Sequence, residues 1–213
     1  MILAHRPHPR RTTRLATLLA TLALALACRG VDETTAPRHA VTSPDYAVYD
    51  AVLDGLFGAP ASDGGAPFYV IDDSTEAASD QDVRVAGFVT DAFGPQLAPI
   101  LAAVRPDFAA RAGVRVPLDA HGFRARGRVT LFERAAVTGT HDPFDYWHRF
   151  YARYPGARGH ISFSRPGYDP SGTHALLAYG HGCGSLCGDW GYVLLERRDG
   201  RWTVLKRVIT IVS

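Results

Sequence analysis

Lysine is almost missing from this chain. Lys206 stands alone among 23 basic residues, so the other 22 are arginine. Such a bias is the signature of a GC-rich genome. It does not mark a nucleic-acid surface, which would need a net basic domain with clustered charge. No apolar run is long enough to span a bilayer as a helix, which takes about 20 residues. The longest, Leu15 to Ala27, holds thirteen uncharged residues. Cysteine is scarce as well, with Cys28, Cys183 and Cys187 as the full set. There is no second cysteine pair to complete a structural zinc site, and no C-x-x-C redox motif. A G-x-S-x-G elbow, which would expose a nucleophilic serine, is also lacking.

What is present begins at the N-terminus. Arg6, Arg10, Arg11 and Arg14 precede the apolar run, and small residues follow up to Cys28. A basic region, an apolar region and a small-residue cleavage site are the layout of a secretory signal. Residues 1–27 are therefore expected to be removed on export. Cys28 lies where a bacterial lipobox places the cysteine that becomes lipidated. Ala25-Leu26-Ala27 fits an ordinary A-x-A cleavage site equally well, and Ala25 stands where a lipobox usually carries leucine. Lipidation of Cys28 leaves two thiols, an even number, and an oxidising compartment would pair them. Removing the four signal arginines leaves 19 basic against 21 acidic residues, a net charge of about −2. The basicity of the full chain thus belongs to its targeting signal. The expected location is the bacterial membrane, held by a lipid and facing the periplasm or the cell exterior.

Residues 28–43 are polar, contain Pro37 and lack apolar periodicity, so they read as anchor and flexible tether. Residues 44–213 read as a single domain. Ser43-Pro44-Asp45 is a helix-start signal, and Tyr46, Tyr49, Val52, Leu53, Leu56 and Phe57 follow at helical spacing. Phe68 to Ile71 and Gly127 to Glu133 read as strands. Between them Pro95, Pro99 and Pro106 argue against a long helix and leave Leu97 to Val104 as a short one. Asp142-Pro143 repeats the helix-start signal, with Phe144, Trp147, Phe150 and Tyr151 on one face. Four strands then follow, over 160–165, 173–181, 190–196 and 202–212, with Asp199-Gly200 as a hairpin turn. The expected fold is α+β: a curved antiparallel sheet ending in a four-strand C-terminal meander, with helices packed on one face. Trp147, Leu194 and Trp202 are expected in one core between the second capped helix and the meander.

Cys183-Gly184-Ser185-Leu186-Cys187-Gly188, then Gly191-Tyr192-Val193-Leu194-Leu195-Glu196 and Gly200-Arg201-Trp202, resembles the C-terminal CGxLCG … GYxLLExxxGxW pattern of a group of uncharacterised bacterial envelope lipoproteins. Where those chains usually show VGFN after a Ser-Arg pair, this one has Pro166-Gly167-Tyr168-Asp169. The resemblance implies an envelope location and carries no activity. The helix-plus-meander layout is also similar to NTF2-like domains, a likeness of fold alone.

The stretch from His181 to Asp189 is the densest polar cluster. It admits a Cys183–Cys187 disulfide, a metal held by His181, Cys183 and Cys187, a redox-active thiol pair, or two free thiols. His160, Ser164, Asp169 and His174 flank one turn in the manner of a hydrolytic set, and Asp72-Asp73 offers carboxylates to a cation. Trp147, Tyr151, Trp190, Tyr192 and Trp202 are the candidates for a ligand pocket, with core packing as their ordinary use. The expectation is a non-enzymatic binding or structural module with no cofactor and no metal. Its partners would be the membrane, through the lipid, and a small molecule or another envelope protein, not nucleic acid. The rival is an envelope hydrolase or a metal- or thiol-dependent enzyme built on the His181-Cys183-Cys187 loop.

Overall fold

In the computed structural model the described residues are 41–59, 64–76, 91–137 and 143–213. The signal, Cys28, most of the tether and Asp142 lie outside them. The first helix, α1 (Ser43–Val52), begins one residue before Pro44. Thr42 is its cap, and its N–H donates to Oδ2 of Asp45 at 3.0 Å. Tyr46, Val48, Tyr49 and Val52 are buried along one side. The helix then widens into a π-helical turn over Leu53–Phe57.

Strand β1 (Phe68–Asp72) and β2 (Arg128–Phe132) pair in parallel. Between them lies α2 (Ala98–Arg111), fourteen residues long with Pro106 inside it. That corrects the expectation of a short helix. Pro106 removes one helical hydrogen bond, but Leu101, Val104 and Phe108 all bury on one side of α2 and outweigh the loss. A short α3 (Arg134–Val137) and then α4 (Pro143–Arg153) follow. The chain ends in β3 (His160–Phe163), β4 (Gly167–Tyr168), β5 (His174–Gly184), β6 (Cys187–Arg198) and β7 (Arg201–Val212).

The seven strands form one curved, open sheet in the order β2-β1-β3-β5-β6-β7, with β4 also on β5. The C-terminal strands run antiparallel, as the meander pattern requires. Asp199 and Gly200 turn the last hairpin with φ of 50° and 77°, the positive values that motivate that pair of residue types. At the other edge β1 runs parallel to both its neighbours.

Alternation along the strands separates the apolar residues into two faces. Ala175, Leu177, Tyr179, Val193 and Leu195 share a core with α1, around the stacked rings of Tyr49 and Phe163 at 4.9 Å. Leu176, Tyr192, Leu194 and Val208 pack under α2 on the opposite face. Val70, Phe132 and Phe150 form a third cluster with α4, on the α2 side of the sheet. The helices therefore divide between two faces instead of sharing one, because the central strands are apolar on both sides. For the same reason Trp147, Leu194 and Trp202 do not share a core. Each falls in or against a different cluster.

Candidate functional site

Four consecutive structural facts build a cavity at one end of the α1 face. His181 on β5 stands directly opposite Asp189 on β6. Tyr179, two residues before His181, points to the same face and stands opposite Gly191, which has no side chain to contest the space. Arg207 on β7 pairs with Val193 and so joins that face. The π-helical turn swings Leu56 and Phe57 over the group, with the Phe57 and His181 rings 5.1 Å apart. Such turns inside helices concentrate at functional sites. The enclosed space is about 250 Å³, and Tyr69, Arg158 and Ile161 complete its wall.

The polar groups are wired to one another. The Tyr179 hydroxyl and Nη2 of Arg207 both donate to Oδ2 of Asp189. Nε of Arg207 donates to the Tyr179 oxygen at 2.6 Å. Nδ1 of His181 lies 3.5 Å from Oδ1 of Asp189, and its Nε2 lies 2.9 Å from the Arg158 carbonyl oxygen. Burial opposes ionisation of Asp189, but the bonds from Tyr179 and Arg207 hold its carboxyl below the usual carboxylate range. The same burial, together with the bond to Asp189, pushes the Tyr179 hydroxyl up. Tyr69 differs from the rest. Burial pushes its hydroxyl up to about 12, with the Asp54 charge adding to the effect. Its oxygen is buried and has no hydrogen-bond partner in the protein. A buried hydroxyl left unpaired costs about 1 to 3 kcal/mol.

The remaining candidate residues go elsewhere. The sulfurs of Cys183 and Cys187 lie at disulfide distance, with Cα atoms 5.0 Å apart. A disulfide leaves no thiolate for zinc or for redox chemistry at His181, which faces Asp189 instead. Removing it by a double change to serine is expected to cost about 2 kcal/mol by the chain-entropy relation for a five-residue loop. Hydrogen exchange should show loosening confined to the β5–β6 turn, and global unfolding of the double variant would contradict this.

Ser164 is buried, accepts from the Ala178 N–H at 2.9 Å and donates to the Arg165 carbonyl at 3.2 Å. It is engaged in holding β3 to β5 and is not presented as a nucleophile. His160 lies opposite Gly182 and His174 opposite Glu196, so the two histidines sit some eight residues apart along β5, on the order of 25 Å. The supposed hydrolytic set is not assembled. Asp169 instead caps the turn before β5, accepting from the N–H groups of Thr173 and His174 at 2.8 and 3.0 Å. Burial works against its ionisation, but the bonds from Ser171, His174 and Thr173 win and hold it well below the usual range.

Asp72 is buried and takes an ion pair from Arg134 at 3.1 Å, facing His160 at 3.5 Å on its other oxygen. Its charge is met by a side chain, and Asp73 accepts a bond from Ser74. Among the described residues no cluster of three metal-ligating side chains occurs. Of the five aromatic pocket candidates, Trp147 and Tyr151 stand together, 5.9 Å apart, beside His160. Trp190 fills the space left by Gly180, Tyr192 packs under α2, and Trp202 lies with Tyr168 on the α1 face. Trp202 does line a second recess, with Pro44, Ala47, Arg111 and Tyr168. That recess is larger and more open, and Arg111, whose Nε is buried without a partner, lines it together with Tyr168, both bound to Asp45.

The folded-state carboxyls of Asp169 and Asp189 sit below their ordinary values. Their contribution to stability is therefore complete above about pH 4 and declines as pH falls below it. Denaturant melts should show an acid-side loss that Asp169→Asn reduces; an unchanged pH profile in that variant would contradict the assignment. Compared with protein-family models, with curated proteins and with solved structures, the chain matches none.

Proposed function

We propose that this chain is an exported, lipid-anchored bacterial envelope protein, and that its domain binds a small molecule in the cavity beneath the π-helical turn. The network of Tyr179, Arg207 and His181 around Asp189, on the wall of that cavity, carries the binding reading. Export is supported by the layout of residues 1–28 and fits the Cys183–Cys187 pairing, which an oxidising compartment favours. No helix among the described residues is long and apolar enough to cross a membrane. In this reading the lipid on Cys28 attaches the protein. The enzymatic alternative loses its thiols to the disulfide and its serine to the β3–β5 contact.

Two measurements test this. Cys28→Ser should move the protein from the membrane to the soluble fraction, and a variant as membrane-bound as wild type overturns the anchor. Ala59 is exposed at the cavity rim, so Ala59→Trp should obstruct the cavity without entering the core. It should abolish the fluorescence enhancement of phenylnaphthylamine or anilinonaphthalene sulfonate by the folded protein. Enhancement undiminished by the tryptophan overturns the cavity as the binding site.

A further inference from the structure

Two opposite charges stand side by side on the cavity wall, and strand register fixes where they point. Asp189 lies opposite His181, which in turn lies opposite Ile161 of the α1 core. Arg207 lies opposite Val193 of the same core. Cross-strand partners share a face, so both charged side chains project to the α1 side, where they line the cavity. They are 18% and 28% exposed, so neither is sealed in the core. Nη2 of Arg207 donates to Oδ2 of Asp189, and the Tyr179 hydroxyl links Nε to the same oxygen. Those bonds engage one oxygen of Asp189 and two of the three guanidinium nitrogens. The pair therefore holds one charge of each sign and sets acceptor and donor groups next to each other. Around it the wall is apolar. Ile161 comes from β3, and Leu56 and Phe57 come from the π-helical turn. A space of about 250 Å³ lies just below the range of drug-sized sites, which suits one ring with a small substituent.

We propose that the ligand is uncharged and joins a ring to a carboxamide or a similar group that carries a donor and an acceptor together. The proposal rests on the binding reading above. An anion would gain Arg207 but meet Asp189 beside it, and a cation would meet the reverse. Each wins one attraction and suffers one repulsion of the same order. A neutral amide donates to the carboxylate and accepts from the guanidinium, and it leaves their mutual ion pair in place. Hydrogen bonds to charged groups are the stronger kind. The ring rests against Phe57 and Ile161, on the apolar part of the wall.

The test uses three probes of one shape and three charges: benzamide, benzoate and benzamidine. Each is titrated against the wild-type protein carrying phenylnaphthylamine, and displacement is read as loss of fluorescence. Benzamide should displace the dye about fivefold more effectively than either charged probe, the scale of one partly exposed charge contact. Asp189→Asn should move the preference to benzoate, and Arg207→Gln should move it to benzamidine. Circular dichroism shows whether each variant is folded; where one is not, the wild-type ranking decides alone. Three equal affinities, or a charged probe ahead in the wild type, would overturn the uncharged ligand. So would a failure of benzamide to displace the dye up to its solubility limit, or a ranking unchanged in both folded variants. In each of these cases, dye binding that is lost in Ala59→Trp leaves the cavity standing. Dye binding that ignores Ala59→Trp removes the cavity reading itself, and this proposal with it.

Discussion

Asp45→Ala is expected to cost about 3 to 5 kcal/mol in denaturant melts, the range for breaking a buried ion pair from one side. Asp45 is fully buried in the first turn of α1. Its carboxylate takes two bonds from Nη2 of Arg111, at 2.8 and 2.9 Å. The Tyr168 hydroxyl donates to it at 2.8 Å, and the Thr42 N–H at 3.0 Å. One side chain therefore joins the start of α1, the end of α2 and β4. Burial and the Asp45 charge together push the Tyr168 hydroxyl far above its ordinary range, so Tyr168 acts only as a donor here. Truncating Asp45 removes both bonds to the Arg111 guanidinium, which overlies the Tyr168 ring at 5.1 Å and keeps only Asp107, 3.6 Å away, as a carboxylate partner. Tyr168→Phe removes one bond and leaves the pair intact, so it should cost about 1 to 1.5 kcal/mol. A loss below about 1 kcal/mol for Asp45→Ala would show that Arg111 finds solvent instead.

Asp45 also shows how far the residues alone could be read. As the acid in the first turn after Ser43-Pro44 it is legible as a helix-start residue, and the structure uses it so, with the cap moved to Thr42. Its second role depends on Arg111, 66 residues away, and no local pattern connects the two. The same division runs through the cavity. His181 and Asp189 flank the β5–β6 turn symmetrically, so their cluster was visible as a loop rich in polar groups. Tyr179 stands two residues before His181 on the same strand, but Tyr69 and Arg207 join the cavity only because two further strands, β1 and β7, align. Tyr69 looked like an ordinary strand aromatic. Its missing partner is a fact of three-dimensional packing with no trace in the order of residues. The meander was legible because period-2 patterning and turn residues recur within a few positions. Parallel pairing of β1 with β2 was not, since the two strands are joined through α2 and share no turn signal. Both-sided burial of the central strands, where Val193, Leu194 and Leu195 are all buried, is what sends the helices to two faces, and the one-face expectation missed it.

A close backbone contact between β4 and α2 leads to the other large effect. Gly167 in β4 lies against the backbone of α2. A Cβ added there would stand 2.1 Å from the Phe108 nitrogen and 2.2 Å from its Cα. Neither atom can rotate away, so Gly167→Ala must push α2 off the sheet. Phe108 is buried under α2 with Leu176 and Tyr192, and the next residue, Tyr168, holds Asp107 through its N–H at 2.9 Å and Asp45 through its hydroxyl. The displacement therefore loosens a core cluster and the Asp45 network together. The expected loss is about 3 kcal/mol, at the upper end of overpacking effects. Gly172→Ala, five residues on, is the matching control. Gly172 has a φ of 67° but no atom within 4 Å of an added Cβ, so its cost is backbone strain alone, about 1 to 2 kcal/mol. Urea melts of the two variants separate the causes: Gly167→Ala should lose clearly more. Equal losses, or a smaller one at Gly167, would mean that α2 does not press on β4 as closely as the structure places it.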